Sequence, residues 1–313
     1  MRSTPLGRSG LTVPSLTLGT LLWGGRTDEA EARSILRSYL EAGGTLVDTA
    51  HGYGDGASEE ILGHLLGELP AGTARVCTKA GISRASGERV VDVSRGSLMD
   101  QLDTSLRRLG RDHVDLWLVH TWSEAVPFEE TLSALEWAHR SGRARYVGVS
   151  NHAGWQLARA VSLAERDGIP LVADEVEYSL LEREPEHEVV PAASALGVGL
   201  MAWAPLGGGI LAGRYRTTTP ADSRAAQQFG GYIRSRLGED GPAVAEAVAT
   251  AARGLSTTPA TVALAWLLAR AAVSSAVVGP RTETQLRQLF AADALTIPAE
   301  VVAALDEVSS VRL

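Results

Sequence analysis

Apolar positions recur along the chain in two alternating rhythms. Short β-branched or leucine-rich runs bounded by glycine read as buried strands, and the longer segments between them carry apolar residues at helical period. In order, the strand and helix pairs fall at residues 15–19 and 29–41, 45–48 and 58–69, 75–79 and 94–109, 114–120 and 128–140, 146–150 and 153–166, 171–175 and 188–196, 199–204 and 259–271, and 276–279 and 282–292. Strict alternation implies parallel strands joined by crossover helices. Eight such units in about 270 residues fit a closed α/β architecture, the (β/α)8 TIM barrel, better than an open doubly wound sheet.

Three stretches fall outside that count. Residues 3–14 alternate apolar and polar around Gly7 and Gly10 and predict an N-terminal β-hairpin. Residues 214–241, polar and arginine-bearing, are too long for an ordinary barrel loop and predict a lid or a disordered insertion after the seventh strand. Residues 298–311 have the period of a terminal amphipathic helix, expected to pack across one end of the barrel. Nothing marks a boundary, so residues 1–313 read as a single domain. The long uncharged run at 189–213 carries Pro191, Pro205 and six glycines, which a lipid-exposed helix tolerates poorly, so it reads as helix end, buried strand and loop.

Composition narrows the class of function. A formal charge of −8 and a pI near 5.5 argue against a nucleic-acid-binding surface and suit a soluble enzyme without a membrane partner. The one cysteine, Cys77, excludes an intramolecular disulfide and a multi-cysteine metal site, and with no secretory signal visible the expected location is cytoplasmic. Lys79 is the only lysine among 29 basic residues. A chain so biased towards arginine keeps a compact ammonium with a shiftable pKa where a planar guanidinium does not serve, which points to proton chemistry; the bland alternative is codon bias with one survivor.

Active sites of such barrels lie where strands run into the following loops. Asp48 closes the second predicted strand, Tyr53 lies in the loop after it, Lys79 closes the third and His120 the fourth. A tyrosine is a poor acid, with a pKa of about 10, but an adjacent ammonium stabilises its phenolate and is expected to lower that value. In this reading Asp48 holds Lys79, and His120 orients a carbonyl oxygen. Each residue alone has a structural alternative, an ion pair, a packed ring or a satisfied hydrogen bonder; together at adjacent strand ends they favour function.

Along nearly its whole length the chain resembles the aldo-keto reductases. The resemblance is carried by Leu6-Gly7-Arg8-Ser9-Gly10-Leu11, Asp48-Thr49-Ala50 with Tyr53-Gly54 and Ser58-Glu59, Thr78-Lys79, Ser105-Leu106-Arg107-Arg108-Leu109-Gly110 with Val114-Asp115-Leu116 and His120, Gly148-Val149-Ser150-Asn151, Glu177-Tyr178-Ser179-Leu180, Ala204-Pro205-Leu206-Gly207, and Gly279 with Arg281-Thr282 and Gln285-Leu286. The resemblance implies a barrel that uses NADPH/NADP+ without a Rossmann domain, a small-molecule carbonyl substrate, and a catalytic tetrad of Asp48, Tyr53, Lys79 and His120. Tyr53 would be the general acid that protonates the carbonyl oxygen as hydride is delivered to carbon.

Carried over by position, Ser150 and Asn151 would hold the nicotinamide carboxamide, Trp203 would stack on the ring, Leu206, Gly207 and nearby backbone would cover the pyrophosphate, and Arg281 would face the 2′-phosphate with a guanidinium fork. Gly19, Thr20, Pro205, Gly209, Gly279 and Gln285 complete the implied cofactor set. The pattern departs at Glu175, where the family usually has a glutamine for the carboxamide, and at Leu289, where an asparagine near the adenine is common. His51 stands where an acidic residue is frequent and either contacts substrate or caps its loop. Trp23 and Trp122, each just beyond a strand, line the substrate pocket or simply pack. The loose dinucleotide fingerprint Gly207-x-Gly209-x-x-Ala212 lacks an acidic partner about 20 residues on and is interrupted by Pro205, so it is rejected.

Two alternatives remain beside a general carbonyl reductase. One is a nicotinamide-binding regulatory subunit with little turnover, since some relatives of this fold are channel-associated. The other is a reductase of nucleotide-linked deoxysugars, with Arg214, Arg216, Arg224, Arg234 and Arg236 meeting phosphates.

Overall fold

The computed structural model describes residues 1–83, 87–214, 230–238 and 240–310. In chain order the strands are β1 (Ser3–Pro5), β2 (Thr12–Pro14), β3 (Leu16–Gly19), β4 (Leu46–Asp48), β5 (Arg75–Ala80), β6 (Ile82–Ser83), β7 (Val90–Val91), β8 (Val114–Val119), β9 (Ala144–Ser150), β10 (Leu171–Glu177), β11 (Gly199–Trp203) and β12 (Val273–Val278). The helices are α1 (Glu29–Glu41), α2 (Ala57–Gly67), α3 (Arg95–Leu109), α4 (Phe128–Arg140), α5 (Gly154–Arg166), α6 (Val189–Leu196), α7 (Gly230–Leu237), α8 (Gly241–Gly254), α9 (Pro259–Leu268), α10 (Glu283–Leu289) and α11 (Ala299–Val308). Eight parallel strands close in the order β3-β4-β5-β8-β9-β10-β11-β12 and back to β3, the (β/α)8 barrel that the alternating pattern predicts.

Local chemistry explains the boundaries. Asp28 accepts from Glu31 N at 2.9 Å and opens α1, whose Ala32, Ile35, Leu36 and Tyr39 face the barrel at helical spacing. The Tyr39 hydroxyl then donates to Leu16 O and Leu46 O, at 2.9 and 2.8 Å, fastening the helix to β3 and β4. Gly110, left-handed at φ 63°, ends α3.

The hairpin of β1 and β2 lies across the N-terminal end of the barrel. Gly7, at φ 58°, lets its backbone press there: a Cβ would stand 2.4 Å from Gly197 O. Inside, strand alternation stacks two layers. Leu46, Cys77, Ala173 and Met201 lie in the apolar layer that Leu6, Leu11 and Val13 close from below. Two residues further along the same strands stand Asp48, Lys79, Glu175 and Trp203.

Four places differ from the pattern-based expectation. The eighth barrel strand begins at Val273 rather than 276, because Ser275, which looks polar, pairs its hydroxyl with that of Thr17 at 2.7 Å inside the barrel. Within 214–241, residues 230–237 form α7, whereas residues 215–229, with Arg216 and Arg224, lie outside the described residues. The helix α8 was not marked by the pattern; it buries Val244, Ala245, Val248, Ala249 and Ala252, a stripe so rich in alanine that its period is faint. The terminal helix spans 299–308 and packs against α8. No helix among the described residues is long and apolar enough to cross a membrane.

Candidate active site

At the C-terminal end of the barrel the exits of β3, β4, β8 and β9 are each pinned to a neighbouring strand. Thr20 N donates to Asp48 O, Thr49 N to Cys77 O, His51 N to Lys79 O, His120 N to Ala80 O and Asn151 N to Glu175 O, all at 2.8 to 3.0 Å. The loops that carry chemistry therefore start from fixed positions, and the side chains of Asp48, Tyr53, Lys79 and His120 come together at one rim.

Lys79 is 1% exposed. Its ammonium donates to Asp48 Oδ1 and Oδ2 at 2.6 and 2.7 Å and to Thr49 O at 3.1 Å, and lies 3.2 Å from Glu175 Oε2. Burial works against its charge, but Asp48, Glu175 and Tyr53 outweigh burial and hold it well above the usual ammonium value. The ammonium sits 5.3 Å from the centre of the Tyr53 ring, and that ring meets His120 edge-on at 5.9 Å between centroids. Burial pushes the Tyr53 phenol up; Lys79 pulls it down, while Asp48 and Glu175 push it up again, and the net is upward. The lowered value expected from Lys79 alone is not what this site produces. Burial outweighs the pull of Lys79, and the two carboxyl groups beside it add to the rise.

The second group of residues surrounds Glu175. Its backbone oxygen accepts from Ser150 Oγ at 2.7 Å and from Asn151 N at 3.0 Å. Asn151 adopts the left-handed conformation at φ 58°, which asparagine tolerates better than most residues. From there its amide donates to His120 O at 3.0 Å and its carbonyl accepts from Trp203 Nε1 at 2.9 Å, so one side chain ties β8, β9 and β11 at the rim. Beyond Trp203, Ala204 is also left-handed at φ 49°, and Gly207, Gly208 and Gly209 follow at 54, 67 and 104°. Three consecutive glycines of this kind turn bare backbone towards the rim, a surface suited to phosphate oxygens. Glu175 Oε2 is buried without a hydrogen-bond partner, 3.2 Å from the Lys79 ammonium. These features fit a nicotinamide dinucleotide.

The other expected residues have contacts of their own within the chain. Thr20 Oγ1 donates to Asp48 O at 3.0 Å and is joined by Ser58 Oγ at 2.8 Å, beside Gly19, which pairs with Asp48 in register. Trp23 is 1% exposed within the main core. His51 turns Nδ1 to Arg108 Nη1 at 3.3 Å, and burial, then Arg108, pushes its pKa down to about 4, which describes a loop cap held neutral. Gln285 accepts from Arg281 N at 2.9 Å at the start of α10, after Gly279. Pro205 is buried and Leu206 half-buried beneath the glycine turn. Leu289 is buried in the core.

The rim also holds Trp122, expected there, together with Trp155 and Tyr232, which the sequence did not single out. Trp122 stacks on Phe128 at 5.2 Å and meets Trp155 edge-on at 5.4 Å; Trp155, 54% exposed, widens the aromatic surface beside His120. Buried Glu59 accepts from Thr78 Oγ1 at 2.7 Å and Arg108 Nη1 at 3.1 Å, bracing β5 behind Lys79. Tyr232 and Arg236 on α7 bond Glu177 at 2.6 and 2.7 Å, and Tyr232 packs 6.4 Å from Trp203. The run of Trp residues after strands hinted at Trp155. Nothing local signals a partnership between Glu177 and residues more than 50 positions away.

The model of the Aldo/keto reductase family matches residues 15–310. An uncharacterized oxidoreductase, YrpG, of Bacillus subtilis (strain 168) is 35% identical over 98% of this chain and 96% of the relative. The L-glyceraldehyde 3-phosphate reductase of Escherichia coli O157:H7 is 35% identical over 96% of this chain and 90% of its own. A probable voltage-gated potassium channel subunit beta of Oryza sativa subsp. japonica is 32% identical over 91% and 89%.

Proposed function

The chain belongs to the aldo/keto reductase family, and from that premise we propose that it is an NADPH-dependent oxidoreductase that reduces an aldehyde or ketone to an alcohol. The observation that carries the reading is the buried Lys79 between Asp48 and Glu175, directly beside Tyr53 and His120. The reduced nicotinamide supplies the hydride.

The residues supply the rest. A phenol held above its ordinary value is fully protonated at neutral pH, so Tyr53 stands loaded as the acid for the carbonyl oxygen. As that proton leaves, the phenolate appears beside a fixed ammonium, where its charge is met without reorganisation. His120, edge-on to the ring, orients the carbonyl oxygen. Ser150, Asn151 and Trp203 position the carboxamide and ring, the Gly207–Gly209 turn takes the pyrophosphate, and Arg281 takes the 2′-phosphate.

Replacing Tyr53 by Phe keeps the ring and removes the proton. NADPH consumption with a responsive carbonyl compound is expected to fall by about 10²- to 10⁴-fold; turnover within a few-fold of the parent protein sinks the acid assignment.

Of the alternatives, a binding subunit with little turnover draws on the channel-subunit name of one relative, but the complete tetrad favours chemistry. The deoxysugar reading needs free arginines. Arg236 is committed to Glu177 and Glu182, and Arg216 and Arg224 lie outside the described residues.

A further inference from the structure

One ammonium and two carboxyl groups share the floor of the barrel mouth. Asp48 takes both short contacts of Lys79, and Glu175 Oε2 remains 3.2 Å from the same nitrogen without a hydrogen bond. All three side chains are at most 2% exposed. With both carboxyls ionised the trio has a net charge of −1 where water does not reach, and Tyr53 and Cys77, which also act on Lys79, can add only negative charge. The other charged groups acting on Glu175 are Asp48 and, on the outer face of β10, Asp174. From the adjoining strands β9 and β11 come Ser150 and Trp203, neither charged, and Glu177 further along β10 is engaged by Arg236. Burial, then Asp48, pushes Glu175 up to about 8, so it holds a proton at neutral pH.

We propose that Glu175 is a charge switch that selects between the two redox forms of the nicotinamide: as the neutral acid it accepts reduced and oxidised cofactor alike, and as the carboxylate it favours the oxidised ring, which is positively charged. The inference rests on the nicotinamide site proposed at Ser150, Asn151 and Trp203, whose first two members bond the Glu175 backbone oxygen. A unit charge within several ångströms, in an interior of effective dielectric near 20, changes the affinity for a cation by about tenfold or more. Linkage makes the effect reciprocal, so NADP+ binding drives the Glu175 proton off. A glutamine at this position keeps the neutral shape and loses the switch.

The test is equilibrium binding, read by quenching of tryptophan fluorescence, of NADP+ and NADPH to the whole chain and to Glu175→Gln between about pH 6 and about pH 9.5. In the parent protein the ratio Kd(NADPH)/Kd(NADP+) should rise about tenfold or more over that range, and NADP+ binding near pH 7.5 should release protons to an indicator dye. The 2′-phosphate is common to both forms and cancels in the ratio. In Glu175→Gln both forms should bind with a pH-independent ratio and no proton release. A ratio that is flat in both proteins, or equally steep in both, overturns the switch while leaving the cofactor site standing. Absence of saturable binding of either form to either protein overturns the nicotinamide reading and the switch with it.

Discussion

The two ends of the barrel are built from the same strands and are equally dry, yet they differ in what the dry groups have for partners. At the N-terminal end Leu6, Leu11 and Val13 close on Leu46, Cys77, Leu116 and Met201, an apolar layer beside which the Thr17 and Ser275 hydroxyls satisfy each other. Two residues along the same strands stand an ammonium, two carboxyl groups and an indole, with left-handed Asn151 and Ala204 at the exits. Packing at one end holds the strands in register so that the other end keeps charges and backbone conformations that would not persist alone. The comparison teaches that burial by itself does not mark function; burial with unequal partners does.

The largest effect should come from removing the one cation. Lys79→Met leaves the Asp48 carboxylate buried without a counter-charge, and both activity and stability are expected to fall, the latter by about 3–5 kcal/mol in chemical denaturation. Adding Asp48→Asn should return most of the stability and none of the turnover. If the double variant stays as unstable as the single one, charge is not what holds this end together.

At the opposite end the expectation is reversed. Leu6→Ala removes apolar volume from the closing layer and should cost about 2–5 kcal/mol, while kcat/KM measured well below the melting temperature stays within about twofold of the parent. A large kinetic loss in a still-folded Leu6→Ala protein would show that the two ends are not separable.

How much of this division was readable beforehand follows from its physics. The barrel was legible because parallel strands buried on both faces form apolar runs separated by glycine, and helix α4, at residues 128–140, falls where its apolar period places it. The candidate tetrad was legible because Asp48, Lys79 and His120 stand at strand ends and Tyr53 in the loop that follows one of them. Its electrostatics were not: Lys79 next to Tyr53 suggests a lowered phenol, whereas burial in the folded barrel mouth, with Asp48 and then Glu175 adding to it, raises it. The helix α8 and the hydroxyl pair of Thr17 and Ser275 were hidden for related reasons, small side chains in one case and a satisfied polar pair in the other. Partnerships between distant residues leave no local pattern.

A control for burial stands beside Glu175. Asp174 points to the outer face of β10, is fully buried, and has neither carboxyl oxygen bonded to a side chain; burial pushes it up to about 8. An unfolded aspartate titrates at about 3.9. Between those values the folded chain holds a proton that the unfolded chain has lost, so this contribution to stability is complete below about pH 4 and declines as pH rises to about 8, at up to about 1.4 kcal/mol per pH unit. Asp174→Asn should therefore gain on the parent by about 1–3 kcal/mol between pH 5 and pH 8 in denaturant melts, with no change in cofactor affinity. A stability difference independent of pH would mean that Asp174 is ionised in the folded state.

The smallest effect is expected at Ala204. Its φ of 49° carries a Cβ into a region that costs about 1–2 kcal/mol for an alanine, and nothing at the N-terminal end asks this of a residue with a side chain. Glycine relieves that strain but gains freedom in the unfolded chain, worth about 0.5–1 kcal/mol in the other direction. Ala204→Gly should thus stabilise by no more than about 1 kcal/mol, a shift of roughly 2–4 °C in Tm at this chain length or somewhat less. The kinetic consequence is the informative one. Ala204 follows Trp203, whose indole is pinned by Asn151, so a looser backbone there should raise the KM for cofactor while leaving kcat nearly unchanged. An unaltered KM together with the gain in stability would make the strain an incidental cost of the turn, whereas a raised KM makes it part of how the indole is held.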